Sequence, residues 1–157
     1  MESAFDTHRQ EDFMKFLDRE ATIAKPDFNR WLVPPAALAV HLAIGQIYAY
    51  SVFNAPLTKL IGITESAAGD WKLTTVGWIF SIALAMLGAS AAMFGTWMER
   101  VGPRKAMFVA ACCFSLGFFV SAIGVHTHNL FLLYLGNGVI GGVGLGLGYI
   151  GPVSTLM

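Results

Sequence analysis

The stretch richest in chemistry is Gly95-Thr96-Trp97-Met98-Glu99-Arg100-Val101-Gly102-Pro103-Arg104-Lys105. One carboxylate stands among three cations. Arg100, Arg104 and Lys105 can pair with acids or with phosphate oxygens. Glu99 can accept hydrogen bonds from a nearby helix N-terminus, where negative charge is favoured. Gly95 removes a side chain, so a second helix can approach closely. Gly102 allows a tight turn, and Pro103 suits the first turn of a following helix. A plain basic anchor would account for the cations but not for the acid or the two glycines.

Other polar side chains are sparse and lie within apolar runs. Gln46, Tyr48 and Tyr50 share one run, and Tyr149 closes another. A tyrosine offers an apolar wall and a hydroxyl donor, which suits a small carboxylate. Tyr48 and Tyr50 are two residues apart and point in different directions, so both cannot line one cavity. His41 can face a cavity or hydrogen-bond a carbonyl, and a titratable group within a membrane span is a functional candidate. His126 and His128 form an His-x-His pair, but a metal site needs about three or four ligands and no others are spaced to join them. Cys112 and Cys113 are adjacent in an apolar run and read as small hydrophobes. No Ser/His/Asp set, nucleotide loop or nucleic-acid patch emerges, and no metal or cofactor is called for.

The elements that carry these residues follow from composition. Of 157 residues, 55% are apolar and 13% charged, whereas soluble domains carry about 25% charged residues. Every charged residue lies between Glu2 and Lys105. Residues 31–58, 73–98 and 106–157 contain no Asp, Glu, Lys or Arg, and each run exceeds the roughly 20 residues that span a bilayer as a helix. The last is too long for one helix, and His126-Thr127-His128-Asn129 divides it. The fold class expected is therefore all-α integral membrane, with spans near 32–53, 73–98, 104–125 and 130–156 behind a tail of residues 1–30.

Five bases precede the first span, three lie between the second and third, two between the first and second, and none between the third and fourth. The positive-inside rule then puts the N-terminus and the 95–105 stretch in the cytoplasm. Trp31, Trp71 and Trp97 fall near span ends, where indoles favour the interface. The tail lacks the apolar core of a signal peptide. Phe13, Phe16 and Leu17 share a helical face there, so the tail is either a small surface helix or a loosely ordered segment. The last span ends in Gly151-Pro152-Val153-Ser154-Thr155-Leu156-Met157 without a basic anchor. This predicts that the natural chain continues.

The fourth span contains Gly136, Gly138, Gly141, Gly142, Gly144, Gly146, Gly148 and Gly151. In water each would cost a helix about 1 kcal/mol relative to Ala. In lipid the alternative is unpaired backbone, so the helix survives. The pairs Gly138/Gly142, Gly142/Gly146 and Gly144/Gly148 are four apart, which predicts two smooth faces for close packing. Pro152 predicts a bend. Gly144-Leu145-Gly146 lacks the strand and the Lys-Ser/Thr of a phosphate loop.

The 95–105 stretch resembles the loop signature between the second and third spans of the major facilitator superfamily, G-x-x-x-[D/E]-R-x-G-x-[R/K]-[R/K]. Six specified positions match, and Glu99 stands where Asp is usual. The resemblance implies that Gly95, Glu99, Arg100, Gly102, Arg104 and Lys105 form a gating motif that stabilises one face of the transport cycle. It also implies that the four spans belong to the N-terminal six-helix bundle of a transporter whose two halves rock around a midplane site. Many members carry an Arg three residues before a Gln-Gly-like pair in the fourth span. Here Tyr134 takes that place before Asn137-Gly138, which argues against proton-coupled drug efflux.

The run Gly45-Gln46-Ile47-Tyr48-Ala49-Tyr50, taken with the glycine-rich fourth span, is similar to the oxalate/formate antiporter family. That resemblance implies a small mono- or dicarboxylate as substrate, with Tyr48, Tyr149 and Gln46 as candidate contacts. It implies no cofactor, the inner membrane as location, and countercharge from the C-terminal part, since an anion cannot sit in lipid unpaired. A sugar or drug transporter, or a four-span subunit that needs a partner, stays open as an alternative.

Overall fold

The computed structural model describes residues 14–24, 26–60, 62, 63 and 65–156. Among these residues all regular structure is helical. Helix α1 spans Val33–Ile44, α2 Ser51–Leu57, α3 Leu73–Val101, α4 Pro103–His126, α5 Leu130–Leu133 and α6 Gly141–Leu156. A 3-10 segment, Gly45–Ala49, leads from α1 towards α2, and a π-helical segment, Tyr134–Ile140, joins α5 to α6. Four stretches are long and apolar enough to cross a membrane: Arg30–Ala49, Leu73–Val101, Pro103–His126 and Leu130–Leu156. The all-α architecture with four membrane-crossing helices is as composition predicts.

Local chemistry sets the ends of these helices. Pro34 and Pro35 open α1, where a missing N–H costs least. Gly102 turns the chain from α3 into α4 at φ 93°, ψ 155°, with its N–H donating to the Met98 carbonyl at 2.8 Å. A side chain disfavours that backbone conformation. The Asn129 side chain caps α5 by accepting from the Phe131 N–H at 3.0 Å. Two irregularities depart from the simple helices expected. The first apolar run tightens at Gly45, a poor helix former. The fourth span widens to a π turn, a feature that gathers at functional sites.

The fourth span is the axis of the bundle. Half of its apolar stretch is covered by the other helices, against 11–22% for the other three spans. Its glycines form the two faces expected. Towards α3, a Cβ on Gly142 would lie 2.8 Å from the Ala83 carbonyl oxygen, and one on Gly146 would overlap Ser90 Oγ. Towards α4, a Cβ on Gly144 would lie 2.6 Å from the Phe114 nitrogen, and one on Gly136 would lie 2.6 Å from the Ser121 nitrogen. Between these faces Val76, Ile79, Ala83, Leu133 and Leu145 form a buried core with Ile47 and Tyr50.

The two ends of the bundle are each closed by side chains from separate loops. At one end His128 stacks on Trp71, with ring centroids 3.9 Å apart and planes within 10°. Its Nε2 lies 3.3 Å from the Gly69 carbonyl oxygen. Trp71, expected as an interfacial anchor, is thus half-buried against a neighbouring loop. At the other end the N-terminal segment meets the α3–α4 turn.

Gly142→Val should lower the thermal midpoint of the purified protein in detergent. Overpacking of this kind costs about 1–3 kcal/mol. Gly95→Ala should leave the midpoint unchanged, because nothing among the described residues lies within 4 Å of the added methyl group.

Candidate functional site

Gln46 and Tyr48 both lie in the 3-10 segment Gly45–Ala49. With about three residues per turn, positions two apart diverge strongly. Tyr48 is exposed and shares a small cavity of about 30 Å³ with His41, Ile44, Leu87, Leu145 and Tyr149. The Tyr149 ring meets the His41 ring edge-on, with centroids 5.3 Å apart. His41 Nδ1 lies 2.9 Å from the Ala37 carbonyl oxygen, so the histidine both bonds a carbonyl and faces a cavity. The structure therefore brings Tyr48 and Tyr149 together across α1 and α6.

Gln46 lies elsewhere. It lines a separate cavity of about 250 Å³ with Tyr50, Phe53, Phe118, Ser121 and Asn137. Tyr50 is buried, and its hydroxyl accepts a hydrogen bond from Asn137 Nδ2 at 3.2 Å. Asn137 sits in the π-helical segment. Three residues before it, Tyr134 donates to the Thr75 carbonyl at 2.7 Å. These two bonds tie the π turn to the first and second spans. Tyr134 and Asn137 therefore hold the bundle together at the place where related transporters were expected to carry an Arg. Their roles were not legible in the sequence, where Asn137 stood out only as the neighbour of Gly138.

The motif residues gather at the end opposite His128. Glu99 and Arg100 are exposed at the end of α3. Glu99 and Gly102 line a cavity of about 360 Å³ with Arg19, Thr22, Ser154 and Thr155. Arg104 donates to the Phe16 carbonyl at 3.0 Å and lies over the Phe16 ring, 4.6 Å from its centroid. Lys105 Nζ meets Asp18 Oδ1 at 2.6 Å. Leu17 is buried beside them while Phe16 is exposed, so the two do not share one face as the helical pattern predicts. Phe13 lies outside the described residues. A Cβ on Gly102 would come within 3.1 Å of Arg19, so the turn and the segment are in close contact. Residues 16–19 thus dock on the α3–α4 turn.

Among the described residues no group of His, Cys, Asp and Glu is placed to hold a metal ion. His128 is committed to Trp71 and Gly69.

The amino-acid sequence is 31% identical over 127 residues to the uncharacterized MFS-type transporter YhjX of Escherichia coli K12, covering 81% of this chain and 29% of that protein. It is 25% identical over 148 residues to the riboflavin transporter MCH5 of Saccharomyces cerevisiae, covering 88% of this chain and 26% of that protein. The chain spans less than a third of the length of either curated relative. No protein-family model matches the chain, and no solved structure matches it. The relatives are membrane transporters. With four stretches among the described residues long and apolar enough to cross a membrane, the likeness to an MFS-type transporter supports a multi-pass membrane protein.

Lys105→Glu should set two carboxylates face to face and release the N-terminal segment. Trypsin should then cut at Arg19 several-fold faster in detergent-solubilised protein. The double reversal Asp18→Lys/Lys105→Glu should restore protection, and raised salt should weaken the native contact, as expected of a partly exposed pair.

Proposed function

We propose that this chain supplies four spans of the N-terminal six-helix half of a major facilitator transporter that carries a small organic anion by alternating access. The observation that carries this reading is the convergence of Tyr48, Tyr149 and His41 on one cavity between α1 and α6. Two phenols and an imidazole give hydrogen-bond donors on an apolar wall, which suits a mono- or dicarboxylate such as oxalate or formate. On this reading Tyr48 and Tyr149 contact substrate, by exchange with a second anion or with a proton, and the remaining part of the transporter completes the site. Gln46, the third candidate contact, lines the neighbouring cavity with Tyr50 and Asn137.

The motif Gly95, Glu99, Arg100, Gly102, Arg104 and Lys105 acts as a gate. Eight of ten bases lie before the first span or in this motif's stretch, which favours a cytoplasmic position for that end in the inner membrane. A second reading, transport of a neutral solute, is favoured by the likeness to a riboflavin transporter and by the lack of Lys and Arg within the spans.

Uptake of labelled oxalate into proteoliposomes preloaded with formate tests the assignment. Tyr48→Phe and Tyr149→Phe should each raise the apparent KM roughly tenfold, because a hydrogen bond to a charged group contributes about 1.5–3 kcal/mol. Uptake of riboflavin with no uptake of oxalate or formate would reject the anion in favour of the neutral solute.

A further inference from the structure

We infer that His41 supplies a proton-dependent countercharge for the anion from within these four spans, beside whatever the remaining part of the transporter contributes. The inference rests on the transport reading above and deepens it. The anion-facing surface has a conspicuous deficit. No Lys, Arg, Asp or Glu occurs in residues 31–58, 73–98 or 106–157. His41 is therefore the one side chain lining this cavity that can become a cation near neutral pH. The groups facing it are Tyr48 from its own span, Leu87 from α3, and Leu145 and Tyr149 from α6. None of these carries charge in that pH range.

The tautomer follows from the hydrogen bond. A carbonyl oxygen only accepts, so the 2.9 Å contact between Nδ1 and the Ala37 oxygen places a hydrogen on Nδ1. Neutral His41 then has its free lone pair on Nε2. Protonation at Nε2 creates both a positive charge and a second N–H donor, while Nδ1–H stays anchored to α1. The Tyr149 ring packed edge-on against the imidazole limits its rotation. A carboxylate beside this group is stabilised only when the proton is present, and its presence in turn holds the proton on. Proton and anion thus bind together at the wall made of Tyr48, Tyr149 and His41, a pair that is neutral for formate and still singly negative for oxalate.

The sign follows directly. Rising pH removes the Nε2 proton and weakens anion binding; falling pH restores it. In proteoliposomes with oxalate as the probe, the apparent KM should rise as pH is raised, by up to about tenfold per pH unit. His41→Gln should give a high KM with no slope. His41→Lys should keep a low KM up to pH 8. A His41→Gln protein with the native pH slope would overturn the inference while leaving the anion reading intact. Failure of the native protein to move oxalate or formate at any pH would reject the anion reading, and this inference with it. A measurement on the native side chain guards against variants that misfold. The His41 imidazole resonances, followed by NMR in detergent, should move towards the protonated form when formate is added at constant pH. No movement at saturating formate would also overturn it.

Discussion

Close approach of backbones along two faces of one helix governs this bundle. Lipid provides no hydrophobic drive between apolar helices, so association depends on dispersion and on polar contacts that need short separations. The fourth span meets that need with glycine. Gly142 and Gly146 admit Ala83 and Ser90 of α3, while Gly144 and Gly136 admit Phe114 and Ser121 of α4. A methyl group at any of these positions would push the second or third span away. The same contacts fix the rotation of the fourth span about its own axis. That rotation turns Tyr149 towards α1 and brings Asn137 to Tyr50. Packing against α3 and α4 thus decides which residues of α6 and the π segment are presented to the first span.

The polar contacts are few and specific. Tyr134 to Thr75, Asn137 to Tyr50 and Ser90 to Leu87 each satisfy a group that would otherwise be stranded in an apolar setting. At the basic end, Arg104 and Lys105 are engaged by residues 16–18 of the same chain. The ion pair alone contributes little because both side chains are partly exposed. The cation–π contact, the backbone hydrogen bond and the buried Leu17 add to it. While that contact is made, these two cations are occupied within this chain. Any other acid or phosphate that pairs with them has to displace the segment.

Much of the helical plan was legible in the sequence because it rests on gross physics. Uncharged runs of sufficient length, a proline pair at Pro34-Pro35 and a Gly102 turn leave little choice of element. The four-residue glycine spacing announced the two packing faces because i and i+4 share one face of a helix. Less was legible where a helix departs from 3.6 residues per turn. Gln46 and Tyr48, which the family resemblance had grouped as contacts, line separate cavities. The π turn around Asn137 has no sequence signature beyond its glycines. The docking of Phe16 and Asp18 on Arg104 and Lys105 joins residues almost ninety positions apart. A local pattern carries no information at that range.

The segment Gly45–Ala49 carries two of the polar side chains that the first span offers, Gln46 and Tyr48. Side chains two apart diverge by about 160° in an α-helix and by about 120° in a 3-10 helix, so neither winding places them on one face. Gln46 accordingly lines the cavity beside Asn137 and Tyr48 the cavity beside Tyr149. His41 lies in α1, just before the change of winding, and joins the Tyr48 side. One short segment therefore presents two polar surfaces of different kinds. The cavity beside Gln46 contains the Asn137–Tyr50 hydrogen bond. On the Tyr48 surface, His41 Nδ1 lies within hydrogen-bond distance of the Ala37 carbonyl oxygen. The Asn137–Tyr50 bond ties the π segment to the first span, while on the Tyr48 side the His41 ring meets the Tyr149 ring across α1 and α6.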